Sequence, residues 1–432
     1  MSDSIVFAAT GDSFITRRLP SLEDKAFRDI VSLLNKADVR FNNLETTLHN
    51  GDIFAGPFSG GTWASSSPDV LNDIKAYGFN LLNWANNHTL DYSYDGLSST
   101  EKYLDQFGFV HAGAGENMAK ASNPKYLDST AGRIGFIAAT SSFHESWIAG
   151  EQKRDMLGRP GINPLRFKST HVVSEEHLEQ LKAIAKITDI NADINLNIKE
   201  GFEVESAPGK FKFGKYSFEV GENPGLITEP DTRDLERIGN AISEATRQAE
   251  YVVVSIHSHQ IKGEEKSNVP DFLQKFARYC IDCGANAVLG HGPHILRGIE
   301  IYKDSPIFYS LGNFIFQTDT VHKLPYDFFE KYGLGYDKNT ADAFDTRSKN
   351  GKVGLGVNPY VWESAIPIWE MKDKKLTSLT LYPIELGFGQ PRYVKGWPTL
   401  SDKKEIIEKL IELSEPFGTA IEIDGAIGKV KL

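Results

Sequence analysis

Two of the chain's 11 histidines meet in one tight turn, Gly290-His291-Gly292-Pro293-His294, just beyond the short apolar run Asn286-Ala287-Val288-Leu289. Imidazole changes charge near neutral pH and, when neutral, is a common metal ligand, so this turn points to proton transfer or metal binding. Four other stretches place polar groups in the same setting, directly after strand-like runs. They are Asp12 after residues 5–9, Glu45 after residues 39–41, Asn87-His88 after residues 79–84, and His257-Ser258-His259 after residues 251–256. Any one of these residues alone is more often a cap, a turn former or a satisfied buried polar group. As a set they offer carboxylate, amide oxygen and imidazole, a mixed N/O donor group suited to one or two divalent cations such as Mn²⁺, Fe²⁺ or Zn²⁺.

The elements that would position these residues follow from the spacing of apolar side chains. Residues 5–9 form a compact apolar run that ends in Thr10-Gly11-Asp12-Ser13, which predicts a first strand. Ser21 reads as the N-cap of a helix whose face is Phe27, Ile30, Val31 and Leu34. Residues 49–66, rich in glycine and serine and carrying Phe54, Phe58 and Trp63, read as a long loop able to cover a site. Ser67-Pro68 opens a second helix that Gly78 closes, residues 94–107 form a third, and residues 126–140 read as a hairpin around Ala131-Gly132. This βαβαβα rhythm predicts a layered α/β domain, and open α/β folds bind ligands at the carboxyl ends of their strands.

From about residue 144 to 230 the rhythm breaks. A helix near residues 175–185 and hairpin material at 202–220, around Pro208-Gly209 and Gly214, read as an inserted cap. Regular order resumes with a helix near 232–249 and the strand at 251–256; His257 and His259 share a face if strand geometry continues that far. A two-strand return turns at Lys303-Asp304, residues 320–360 read as irregular, and residues 361–386 resemble two further strands. An amphipathic helix near 401–413 and a hairpin turning at Asp424-Gly425 complete the chain. The expected organisation is a domain over residues 1–320, with an insertion at about 144–230, and a β-rich extension over 321–432 packing on the same core.

Composition narrows the class. With 432 residues, 40% hydrophobic and 24% charged, the chain is ordinary for a globular protein with a sizeable core. A net charge of −11 and the lack of any Lys/Arg-rich run exclude a general nucleic-acid binder, while leaving a local basic pocket open. The amino terminus carries Asp3 and no basic segment before its strand-like run, so no signal peptide is expected. No stretch approaches the ~20 apolar residues of a bilayer span, and a cytoplasmic location is expected. Cys280 and Cys283 have C-x-x-C spacing but close a helix rather than open one, so Cys280 is assigned to the apolar stripe of Phe272, Leu273, Phe276 and Ala277. Gly-x-Ser-x-Gly, Walker-type, Gly-x-Gly-x-x-Gly and His-Glu-x-x-His patterns are missing. His49, His111, His144, His171, His177 and His322 have no setting comparable to the strand-end histidines.

Six motifs, in order over residues 5–317, resemble those of the CapA-like family, named for bacterial poly-γ-glutamate capsule synthesis and related to the calcineurin-like metallophosphoesterases. They are Gly11-Asp12, Asn43-Leu44-Glu45, Ala85-Asn86-Asn87-His88, the His257 strand end, Gly290-His291-Gly292-Pro293-His294 and Ser310-Leu311-Gly312-Asn313-Phe314. The resemblance implies a four-layer αββα fold with its metal centre at the strand ends. It implies Asp12, Glu45, Asn87, His257 and His291 as metal ligands, Glu45 as the bridging carboxylate, and His88 as the catalytic histidine, with His294 at the last histidine of the signature. Phosphoesterases carry Asp-x-His where this chain has Phe14, and Gly-His-x-His where it has Gly-His-x-x-His. His257-Ser258-His259 also departs from the His-Trp-Gly form common in the family. The expectation is a metal-dependent hydrolase acting on amide or γ-glutamyl-peptide bonds of a peptide or γ-glutamyl polymer. His88 or His294 would shuttle protons, while Asn313 and His259 would orient the substrate. The alternatives are a phosphoesterase, an epimerase using Asp12 and His294, and a non-catalytic polymer-binding or export component. The sequence leaves the oligomeric state open.

Overall fold

In the computed structural model, which describes residues 4–207 and 209–432, the strand Ser4–Phe14 lies inside a ten-stranded mixed sheet. One edge of it pairs in parallel with Val39–Leu44, which in turn pairs with Leu81–Asn83. Its other edge is divided. Residues 4–8 pair antiparallel with Glu363–Lys372, whereas residues 12–14 pair in parallel with Asn313–Phe316. The register shifts on both edges next to Asp12, and such bulges re-aim a side chain out of the regular pleat. The segment read as a C-terminal extension is thus built into the same sheet as the first strand.

The second large sheet has six strands, with Tyr251–His257 flanked in parallel by Gly132–Thr140 and Ala287–His291. Every residue of Tyr251–His257 is buried. A parallel strand covered on both faces requires a nearly continuous apolar sequence, which is why Tyr251-Val252-Val253-Val254 stands out. Phe7, Phe41 and Trp369 of the first sheet share one core with Phe136, Val253 and Leu289 of the second, and the Phe41 and Phe136 rings lie 5.9 Å apart. The helices Lys25–Leu34, Val70–Ala76 and Ser93–Phe107 bury Ile30, Leu71 and Leu97 in a separate cluster with Leu44, Leu82 and Phe314. The protein is therefore mixed α/β, with several sheets and eleven α-helices among the described residues. None of the described helices is long and apolar enough to cross a membrane.

Several local expectations are corrected. The first helix is capped by Asp24, not Ser21; the Asp24 carboxylate accepts the amides of Ala26 and Phe27. A charged acceptor at the positive end of the helix outcompetes a hydroxyl three residues earlier. Residues 320–360 include two short helices, Tyr326–Lys331 and Thr340–Arg347. The chain divides into two compact units, and the smaller comprises residues 166–232 together with 270–276. That unit is a four-stranded sheet with the helices Glu175–Thr188 and Ala192–Glu200. Its hairpin between Lys210–Phe213 and Tyr216–Val220 turns at Gly214, while Pro208 lies outside the described residues.

Gly11 shows how tightly the site strand is held. A Cβ there would stand 1.9 Å from the carbonyl oxygen of Gly312, where the Asp12 amide donates to that same carbonyl at 2.9 Å. Gly11→Ala is expected to destabilise the protein by about 1–3 kcal/mol, read as a lower urea midpoint with an unchanged slope.

Candidate metal centre

Asp12, Glu45, His88, His257, His291 and His294 come together at the carboxyl ends of strands from both large sheets. Asp12 is fixed from two sides. The Asn43 amide donates to its Oδ1 at 2.7 Å and the Gly292 backbone N–H donates to its Oδ2 at 3.0 Å. Gly292 can approach because it has no side chain: at φ +122° a Cβ would meet the Ser258 backbone at 2.9 Å.

Glu45 is the opposite case, fully buried with neither carboxylate oxygen in a hydrogen bond. Its Oε1 lies 3.7 Å from Nε2 of His257 and 3.9 Å from Nε2 of each of His88, His259 and His294. His257 Nε2, His259 Nε2 and Asn87 Oδ1 are also buried without partners. An unsatisfied buried polar atom costs about 1–3 kcal/mol, so a cluster of them needs a missing partner. The separations are too long for hydrogen bonds, but they suit nitrogen and oxygen donors that surround one cation at about 2.0–2.2 Å each. Three overlapping groups, Asp12/His257/His291, Glu45/His257/His259 and Asp12/Glu45/His294, each bring their ligand atoms within 4.8 Å of one another. These buried acids and histidines can hold a metal ion.

The electrostatics agree. Burial, reinforced by neighbouring imidazoles, holds His257 and His259 well below the usual histidine range. Burial pushes His291 down to about 4 against the opposing pull of Asp12. All three are neutral at pH 7, with lone pairs available to a cation. Burial, then Asp12 and Asp91, raises the Glu45 carboxyl well above its usual range, a cost that a bound cation would remove.

Each site histidine has its own support. His88 Nδ1 lies 2.7 Å from Asp91 Oδ2, and Asp91 also accepts the amides of Gly60 at 2.9 Å and Ala64 at 2.7 Å. The Phe14 ring packs edge-on against His88 at 5.2 Å and walls the imidazole in. His291 Nε2 lies 2.7 Å from Ser255 Oγ, and its Nδ1 lies 2.9 Å from Nδ1 of His257. His294 has φ +60°, a conformation that costs a non-glycine residue of the order of 1 kcal/mol or more and marks a constrained position. Its Nδ1 lies 2.9 Å from Asn313 Oδ1, while Asn313 Nδ2 donates to the Val361 carbonyl at 2.8 Å. Asn313 is fully buried, so in this structure its amide positions His294.

Asn87 and His259 reach the mouth of the site. With Phe58, His144, Trp147 and Gln260 they line a cavity of about 400 Å³. The His259 side chain is 30% exposed there, beyond the end of its strand. Phe58, from the loop at residues 49–66, stacks on His144 with ring centroids 3.7 Å apart.

Sequence reasoning gave no role to Asp91, Ser255, His144 or the buried Asn83 and Asn86. Asn86 donates to the Leu44 carbonyl at 2.8 Å and accepts the His88 amide at 3.0 Å, while Asn83 donates to Asn43. A His-x-x-Asp spacing, one helical turn, was the available signal for Asp91.

A strand-end cluster of carboxylates and imidazoles in a mixed α/β scaffold defines an α/β protein with a candidate divalent-metal site. The family described as bacterial capsule synthesis protein PGA_cap matches residues 6–318, and the chain belongs to that family. A Sinorhizobium fredii protein, y4sH, is 34% identical over 444 residues, covering 100% of this chain and 94% of that one. The capsule biosynthesis protein CapA of Bacillus anthracis is 25% identical over 307 residues, covering 67% of this chain and 57% of its own length. The probable polyglutamine synthesis accessory protein of Mycobacterium tuberculosis is 26% identical over 282 residues, 64% of this chain and 55% of its own.

Proposed function

We propose that this protein is a metal-dependent hydrolase that cleaves amide bonds in a γ-glutamyl peptide or polymer, within a four-layer αββα scaffold of the metallophosphoesterase type. The observation that carries the reading is the unpartnered Glu45 carboxylate, ringed by four histidines, beside a His88–Asp91 pair. Asp12, Glu45, Asn87, His257 and His291 would hold the ion. A divalent ion here would act as a Lewis acid towards a carbonyl group and increase the acidity of a water molecule. With Nδ1–H donated to Asp91, His88 presents its Nε2 lone pair to the reacting centre. It takes a proton from the attacking water as the new C–O bond forms, then gives it to the leaving nitrogen as the C–N bond breaks. His259, at the mouth, orients the substrate carbonyl, and Asn313 keeps His294 aimed at Glu45. The substrate class draws on the capsule and polyglutamine names of the relatives.

Epimerisation is less well served, because Asp12, its candidate base, is also a ligand of the ion and is held by two hydrogen bonds, which lower its basicity towards an α-proton. Phosphoester cleavage is disfavoured by Phe14, which fills the place of a phosphoesterase histidine with an apolar ring. Parallel turnover assays of a γ-glutamyl anilide and an aryl phosphate, with added Mn²⁺ or Zn²⁺, test the proposal. Release of aniline that chelation abolishes is the expected result. Phosphate turnover alone would remove the amide reading, and metal uptake with neither turnover would favour a binding component.

A further inference from the structure

Two cations stand directly behind the site histidines. Arg297 is fully buried; its Nη2 donates to the carbonyl of Gln260 at 2.7 Å, next to His259, and its Nε donates to the carbonyl of Lys266 at 2.9 Å. Lys266 Nζ donates to the carbonyl of Pro293 at 3.0 Å, next to His294. Arg297 Nη1 has no partner, and neither cation has a carboxylate partner among the described residues. Arg237, by contrast, meets the buried Asp234 carboxylate.

A buried charge without a counter-ion costs several kcal/mol, and a chain that needed only a brace between the 260–266 and 291–297 loops had cheaper neutral side chains for it. In a setting that excludes water such a charge acts beyond hydrogen-bond range. Asp12 and Glu45 would have their charge taken up by the ion they hold, whereas Lys266 shares the lining of a separate cavity with Glu264, Glu265 and Glu363. Lysine and arginine do not occur among the described residues that line the mouth, so any preference for an anion must come from behind it.

We propose that Arg297 and Lys266 set the charge preference of the site, favouring a ligand that carries a carboxylate beside the group held at His259 over the same ligand as a neutral amide. The proposal rests on the reading above only in placing the ligand at the mouth; it does not require turnover.

The test is calorimetric binding of N-acetylglutamate and of its neutral diamide to the metal-loaded full-length chain, as wild type, Lys266→Met and Arg297→Met. Wild type is expected to prefer the carboxylate, and each variant to lose about tenfold of that preference, with the loss falling on the anion and not on the amide. An equal loss for both probes would make Arg297 a brace only and overturn the proposal. So would an unchanged preference in the variants, or no preference in wild type. Lys266 is only half-buried and, if Arg297→Met fails to fold, decides the matter alone. A lack of cleavage of γ-glutamyl substrates would sink the hydrolase reading and leave this binding preference standing.

Discussion

His291→Ala is expected to remove bound divalent metal, lowering metal content after dialysis by at least tenfold to about a hundredfold, the range that loss of even a supporting residue can reach. The reason is geometric. His291 is the last residue of its strand, in register with His257 on the neighbouring parallel strand. Ser255 fixes its ring through Nε2, which leaves Nδ1 facing His257 and the Asp12 carboxylate, 3.5 Å away. Alanine removes one donor from a group of three and leaves Ser255 Oγ without this partner. Metal that binds only the folded state also stabilises it by mass action, so the rise in melting temperature on adding Mn²⁺ or Zn²⁺ should vanish in the variant. Elemental analysis and paired melting curves check this, with near-ultraviolet circular dichroism to establish that the variant folds. A folded His291→Ala protein that retains its metal would refute the site. His259→Ala, which alters a partly exposed residue at the mouth, is expected to lose much less.

The strand ends were legible in the sequence for a physical reason. Strands such as Tyr251–His257 and Ala287–His291 are buried throughout, so their sequences are nearly continuous apolar runs and the polar residues at their ends are conspicuous. Glu45, His257 and His291 could be picked out in this way. Their supports could not. Asp91 follows His88 without a strand end of its own, and only the fold shows that it meets His88 Nδ1 and two amides of the loop at residues 49–66. Ser255 and Asn83 sit inside strand-like runs, and Asn86 stands in a motif whose ligand role the resemblance gives to the neighbouring Asn87.

The fold was legible where local periodicity decides it and obscure where distant pairing does. Residues 161–162 pair with 114–115, which keeps the stretch after residue 144 with the larger unit instead of opening the insertion there. The helices Tyr326–Lys331 and Thr340–Arg347 are too short to show a 3.6-residue repeat, and their aromatic residues Phe328, Phe329 and Phe344 bury through tertiary packing. The buried, unpaired Arg297 was equally hidden, since one arginine after His294 in an acidic chain carries no signal of its own.

Asp91→Asn is expected to separate metal binding from chemistry. Asp91 is a positioning residue: Oδ2 accepts from His88 Nδ1 and from the Ala64 amide, while Oδ1 accepts from the Gly60 amide. Asparagine can present only one acceptor oxygen. If that oxygen stays with Gly60, the NH₂ group faces two donors, His88 Nδ1–H and Ala64 N–H. The imidazole then relieves the clash by moving its proton to Nε2, the atom that must accept one during turnover. Metal content should stay within about twofold of wild type, because neither Asp91 nor the His88 that it supports belongs to any of the ligand groups. Under the hydrolase reading kcat should fall by about 10²–10⁴ with little change in KM, the loss typical when a general base is held in the wrong protonation state. A purely structural role for Asp91 would instead lower melting temperature and metal content together. Wild-type kcat in a folded, metal-replete Asp91→Asn protein would remove His88 from the mechanism.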